Sequence, residues 1–223
     1  MSNLYAIDAG AADIAAHFHT LNIPDPAWAA TIRPGDSGPI VRHSARMKGL
    51  VAQTYRFGFP RYDRDDLDGP PRPVNLVADL TNPMWEDVVV DPKYRCLVVA
   101  SRFANPAGAK GRKTRTWFSV RGMPIIAFAG FCLGTDEWGP VYAAMTGKAN
   151  ELVMPYNDRM AIILTPADYQ RWLTGPIGDV IAYQMNRPPF PASRMIMEHT
   201  DELWVPRGQR AIRPKPEEGQ LLV

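Results

Sequence analysis

Apolar and polar residues alternate with a period of two along most of this chain, the mark of half-buried strands, while three stretches carry the 3.6-residue helical period. Residues 2–7 alternate as a first strand, and Asp8-Ala9-Gly10 punctuates it. Between residues 11 and 21 the apolar Ile14, Ala15, Phe18 and Leu21 share one helical face, and Pro24 stops the pattern. Strand-like runs follow at residues 38–42 and 49–59, joined by a basic turn, then at 74–80, 94–103, 117–120, 124–133 and 140–145. At residues 157–164 a polar knot, Asn157-Asp158-Arg159, abuts the apolar run 160–164, the pattern of a site residue held at the mouth of a buried strand. Residues 165–173 predict a helix with Thr165 as N-cap, Asp168 early in its first turns, and Trp172 and Leu173 turned inward. A short helix over 178–185, a closing strand over 188–197 and a loose tail from 207 complete the pattern.

The 223 residues, 46% apolar, suffice for one sizeable core, and the 22 prolines, about twice average usage, favour many short elements over a few long helices. A net charge of +2 implies neither nucleic acid nor an acidic partner, so any such argument rests on where the charges sit. Cys96 and Cys132 lie in apolar runs and read as buried free thiols. The longest apolar run, residues 125–133, is too short to span a bilayer and no secretory leader opens the chain, so a cytoplasmic protein with no membrane partner is expected. No glycine loop for phosphates and no cysteine–histidine ligand pattern is visible. His17 and His19 have no acid or thiol at ligand spacing, and neither a cofactor nor a metal is expected.

Two stretches concentrate positive charge. Residues 42–64 hold six Lys or Arg and one acid, interleaved with Tyr55, Phe57, Phe59 and Tyr62. Cations for phosphates alternating with aromatic faces for bases are the ingredients of a single-strand groove, although a solvated hairpin carries the same residues. The second stretch is the loop Lys110-Gly111-Arg112-Lys113-Thr114-Arg115, which is either solvated or an extension of such a groove.

The order Thr146-x-x-Ala149-Asn150, then Asn157-Asp158-Arg159-Met160, then Leu164-Thr165-Pro166-Ala167-Asp168 and Trp172-Leu173 resembles the SOS response-associated peptidase (SRAP) family. So do Pro39-Ile40-Val41-Arg42, Arg56-Phe57-Gly58-Phe59-Pro60-Arg61-Tyr62, Asn75 to Asp79, and Arg95-Cys96-Leu97-Val98-Val99-Ala100. The resemblance covers residues 1 to about 198 and implies a single α+β domain over 1–198, with a curved, mostly antiparallel barrel-like sheet and a few flanking helices, followed by a tail over 199–223. It also implies chemistry. Family members expose a cysteine and its α-amine at the mature N-terminus to capture the aldehyde of an abasic site in single-stranded DNA, while a glutamate and a histidine move protons.

In this chain Ser2 stands in place of that cysteine, Asn105 in place of the glutamate and Asn157 in place of the histidine, while Asn75, Thr146 and Arg159 match the family. Val77 replaces a family arginine, which removes a phosphate-binding charge. The resemblance thus assigns Ser2, Asn75, Asn105 and Asn157 to the catalytic positions and Arg42, Arg56, Tyr62, Asn75, Thr146 and Arg159 to DNA binding. Asparagine does not titrate near neutrality, and each lost acid or base removes about 10²–10⁴-fold in rate. The preferred reading is therefore a protein that binds single-stranded or abasic DNA in an SOS context without durable crosslinking. Two alternatives stand beside it: a variant that forms a Schiff base through the Ser2 amine or removes its own Met1, and a phage-related interaction protein with a vestigial pocket.

Overall fold

At position 130 the backbones approach so closely that a Cβ would lie 2.5 Å from Val98 Cγ2 and 2.8 Å from the Ala143 carbonyl oxygen, and only glycine fits. The computed structural model describes residues 4–63 and 69–205. The chain begins with β1 (Leu4–Ala6), α1 (Ala11–Phe18), β2 (Thr31–Ile32), β3 (Ser37–Ser44), β4 (Gly49–Phe57) and β5 (Phe59–Arg61). It continues through β6 (Arg72–Val74), β7 (Leu76–Val77), α2 (Glu86–Val90), β8 (Arg95–Ala100), β9 (Arg102–Ala107) and β10 (Thr114–Val120). Then come β11 (Ile126–Thr135), β12 (Gly139–Lys148), β13 (Arg159–Ala161), β14 (Ile163–Leu164), α3 (Pro166–Thr174), α4 (Ile177–Ile181) and β15 (Met195–Leu203).

Gly130 sits where β11 is squeezed between β8 and β12. Antiparallel pairing runs β4–β3–β8–β11–β12, and a short parallel contact, Val141 with Arg56 and Tyr142 with Phe57, brings β12 back to β4 and closes the ring. This is the curved, mostly antiparallel barrel of a single α+β domain that the sequence leads one to expect. Closure removes exposed sheet edges, and small residues (Ala127, Ala129, Gly130, Ala143, Ala144) let the strands meet with little side-chain volume between them. Both cysteines are free and buried.

A second antiparallel sheet, in the order β15–β10–β9–β1–β2, lies against the barrel. The chain passes from barrel to sheet at Ser101, whose N–H donates to Ala6 O (2.8 Å) while its Oγ accepts from Asp8 N (3.0 Å). The inner face of this sheet presents Tyr5, Phe103 and Phe118, and edge-on contacts from Tyr5 to Phe57 (5.3 Å) and from Phe103 to Phe128 (6.0 Å) join the two layers. Each such ring, taken from water, contributes about 2–3 kcal/mol. Trp172 of α3 packs on Phe131 and donates its indole N–H to Cys96 O (2.9 Å), which fastens the helix to the barrel wall.

The structure divides several runs that read as continuous in sequence. Gly58, at φ +123°, separates β4 from β5 within residues 49–59. Ile162 splits the run 160–164: its N–H bonds to Met145 O on β12 and its C=O to Ala129 N on β11, so β13 and β14 serve different neighbours. The first helix ends at Phe18 because His19 turns left-handed (φ 52°), which leaves Leu21 exposed. Thr114 and Arg115, read as loop, begin β10. The helix expected over 178–185 is α4 followed by a wider turn in which Arg187 N reaches Ala182 O, five residues back. The closing strand begins at Met195 rather than 188 and continues past residue 198, with Leu203 paired to Thr114. The tail expected from 207 lies outside the described residues. Among the described residues no helix is long and apolar enough to cross a membrane.

Candidate functional site

The turn that carries Asn157 is built by Asn150. This buried amide accepts from Leu152 N (3.2 Å) and Val153 N (3.0 Å) and donates to Phe190 O (2.6 Å). Helical-type bonds then wind residues 153–157, with Asn157 N reaching Val153 O (3.0 Å), and Ala149 N to Asp158 O (2.9 Å) closes the loop between β12 and β13. The result holds Asn157 at the open end of the barrel, facing the second sheet.

There Asn157 Nδ2 donates to Asn105 Oδ1 at 3.2 Å, so the structure brings together two of the polar residues read from the sequence. The direction of this bond is determinate. Arg159 N–H needs an acceptor and finds Asn157 Oδ1 (3.2 Å), which leaves the NH₂ of Asn157 facing Asn105. Asn105 must answer with its oxygen. Its own Nδ2 is then a fully buried donor with no acceptor. A buried, unpaired N–H costs about 1–3 kcal/mol, and such a donor suits an oxygen acceptor that comes within its reach.

Thr146, Arg159 and Gln184 form a second polar group on the other side. Arg159 donates through Nε to Thr146 Oγ1 (3.0 Å) and through Nη2 to Ala78 O (2.7 Å) and Thr146 O, while Gln184 Nε2 donates to Val77 O and Thr146 O (3.1 Å each). These two side chains clamp the end of the short parallel pairing of β7 with β12 (Leu76 with Ala144, Val77 with Met145), so Arg159 and Thr146 hold the wall of the site together. Asn75, buried just before β7, accepts Ala144 N–H at its carbonyl (3.0 Å). A narrow cavity of about 20 Å³ adjoins Thr146 and Arg159 and is lined by Leu4, Leu76 and Phe103 among others. Tyr5 also lines it; the Tyr5 hydroxyl pairs with that of Tyr142, and burial raises both phenols far above the usual range, so both remain neutral.

Other expected DNA-binding residues lie elsewhere. Arg42 pairs across β3–β4 with Val51, about ten residue steps and on the order of 30 Å along the strands from Thr146, and donates to Gln53 Oε1 (2.7 Å). Arg56 points out of the barrel and stacks 4.0 Å over Trp138. Tyr62 is exposed beyond β5. None of the three reaches the Asn105–Asn157 pair. Ser2 lies outside the described residues, but Leu4 pairs with Ala104, the neighbour of Asn105, so the start of β1 is beside the amide pair.

Cations do reach this end of the sheet. Lys110, Arg112 and Lys113 are exposed on the turn between β9 and β10, beyond Asn105 and its cross-strand partner Thr116, and form no ion pair among the described residues. Sequence reasoning missed His199, which ended up in the presumed tail. It stands in one cross-strand row with Thr116 and Asn105 and bonds Thr116 Oγ1 through Nδ1 at 2.9 Å. Only strand pairing reveals this row, since the three residues are far apart in the chain. No cluster of three or more metal-ligating side chains occurs among the described residues.

A sequence profile described as "SOS response associated peptidase (SRAP)" matches residues 1–199. Among curated proteins no sequence matches. The fold is similar to a solved protein from Bordetella bronchiseptica, 20% identical with a TM-score of 0.74, covering 90% of this chain and 99% of the other. It is also similar to one from Bacteroides thetaiotaomicron, 17% identical with a TM-score of 0.71, covering 88% and 91%. A phage-related protein from Bordetella bronchiseptica is 15% identical with a TM-score of 0.66, covering 89% and 93%.

Proposed function

Because this chain belongs to the SOS response-associated peptidase family, matched over residues 1–199, we propose that it holds single-stranded DNA, abasic DNA included, reversibly in the cleft headed by Asn105 and Asn157. The observation that carries this reading is the amide pair with its stranded Asn105 Nδ2 donor. Two amides can orient a ligand oxygen, but neither takes up or gives a proton near neutral pH, so the pair supports binding rather than bond making. Lys110, Arg112 and Lys113 supply the phosphate attraction from the adjoining turn.

The start of β1 favours a second reading, in which the amine of Ser2 forms a reversible imine with the aldehyde of an abasic site. Leu4 adjoins the pair through Ala104, and an α-amine titrating near 8 is partly neutral at pH 7. Both readings place DNA in the same cleft.

Salt-titrated binding of a labelled oligothymidylate, followed by fluorescence anisotropy, tests the proposal. Each phosphate contact adds about −0.7 to the slope of log K against log salt for a single strand. Replacing Lys110, Arg112 and Lys113 together by glutamine should flatten the slope by about 2. An unchanged slope would remove this turn from the interface, and absence of binding at low salt would overturn the proposal.

A further inference from the structure

Both ring nitrogens of His199 are engaged. Nδ1 is 2.9 Å from Thr116 Oγ1 and Nε2 is 3.3 Å from the Tyr156 hydroxyl. Thr116 is fully buried and is the cross-strand partner of Asn105, while Tyr156 directly precedes Asn157 in the turn. One imidazole is therefore bonded to the immediate neighbour of each amide, and its own strand leaves it open to solvent. We infer that His199 sets the hydrogen-bond polarity of this cleft, and that its protonated form is the one that holds a phosphodiester.

The reasoning is a count of donors and acceptors. A neutral imidazole has one of each, so it can accept the Thr116 hydroxyl proton at Nδ1 while donating Nε2–H to Tyr156. A charged imidazolium donates at both nitrogens. Thr116 Oγ must then receive, and its own proton turns away from β15; Asn105, its cross-strand partner on β9, already holds a buried N–H with no partner. Protonation thus converts the head of the cleft from mixed to donating and adds a positive charge at its rim. An oxygen that bears negative charge and accepts several bonds, as in a phosphodiester, matches that state. No carboxylate competes for the ring among the described residues. Thr116 faces it from β10 and Tyr156 from the turn; on its own strand Glu198 and Asp201 flank it without bonding to it, and Glu202 is paired with Arg115.

The ligand named here rests on the DNA reading, but the coupling of His199 to the amides does not, and the experiment separates the two. In the full chain, the side-chain NH₂ signals of Asn105 and Asn157 would be followed by NMR from pH 5 to 8.5 together with the His199 ring, in the wild type and in His199→Gln. Oligothymidylate affinity would be measured over the same range. The expected result is that both amide signals track the His199 titration and lie flat in His199→Gln, whose folded state is checked by its cooperative unfolding in urea. Affinity should rise about tenfold between pH 8 and pH 5.5 in the wild type, the strength of one charge-assisted bond, and less than about twofold in the variant. Amide signals indifferent to His199, or an equal rise of affinity in His199→Gln, would overturn the inference. Coupled amides with no oligonucleotide binding at any pH would refute DNA as the ligand while upholding His199 as the group that sets polarity.

Discussion

Replacing Asn150 by alanine removes the brace under the turn that presents Asn157. The side chain is 2% exposed; its Oδ1 receives Leu152 N and Val153 N, and its Nδ2 gives to Phe190 O. Alanine cannot replace any of these bonds, and the buried Phe190 carbonyl and Val153 amide lose a partner where water has little room. At about 1–1.5 kcal/mol for each lost or stranded bond, with some relief because Val153 N also reaches Asn150 O, the loss is about 3 kcal/mol. For a domain of this size that corresponds to a Tm about 6–12 °C lower. Urea unfolding measures it directly, with the m-value expected to remain unchanged because the same surface is exposed on unfolding. Since the turn also aims Asn157 at Asn105, the side-chain NH₂ signals of both should lose their dispersion at temperatures where the variant remains folded. A destabilisation below about 1 kcal/mol would show that the turn stands without its amide, and the account of how Asn157 is positioned would fail.

Three further outcomes follow from the structure. Gly130→Ala forces a methyl against Val98 and the Ala143 carbonyl, and thermal unfolding should register a loss of about 3 kcal/mol or more; a loss under 1 would mean the barrel is looser than described. Burial pushes the Asp168 carboxyl up, but hydrogen bonds and charge from Arg187 and the Thr165 bonds outweigh it and hold it at about 2, below its ordinary 3.8. A depressed carboxyl contributes stability above pH 4 and loses it as pH falls from about 4 to 2; half-exposed Arg187 screens the pair, so Asp168→Asn should abolish only about 1 kcal/mol of acid sensitivity in that window. Tyr5→Phe leaves the Tyr142 hydroxyl buried without its partner, and chemical denaturation should show about 1–3 kcal/mol of destabilisation.

The barrel strands were legible because their signal is local. Runs such as Cys96 to Val99 and Ile126 to Phe131 are apolar over the length of a strand and are buried on both faces. Where the chain changes layer, the controlling contacts are remote. Nothing in the residues around Ile162 announces that its N–H and C=O serve two different strands, and nothing around Ser101 tells that Ala6 will take its amide. The site divides in the same way. Asn105 and Asn157 were readable because they stand at positions within recognisable motifs, and the bond between them joins those motifs. Arg42 and Arg56 belong to a basic, aromatic stretch, but alternation along β3 and β4 sends one into the far end of the barrel and the other against Trp138. His199 was invisible because its meaning lies in the register of β10 with β15, and the last strand alternates too weakly to mark its end.

The central claim is that the amide-headed cleft holds a strand without joining to it. The direct measurement is electrophoresis of the full-length protein with a single-stranded oligonucleotide carrying one abasic site, run in parallel on native and denaturing gels without reductant. The account predicts a complex on the native gel that separates completely into free protein and free DNA on the denaturing one. A band that survives denaturation, or no complex on the native gel, would contradict it.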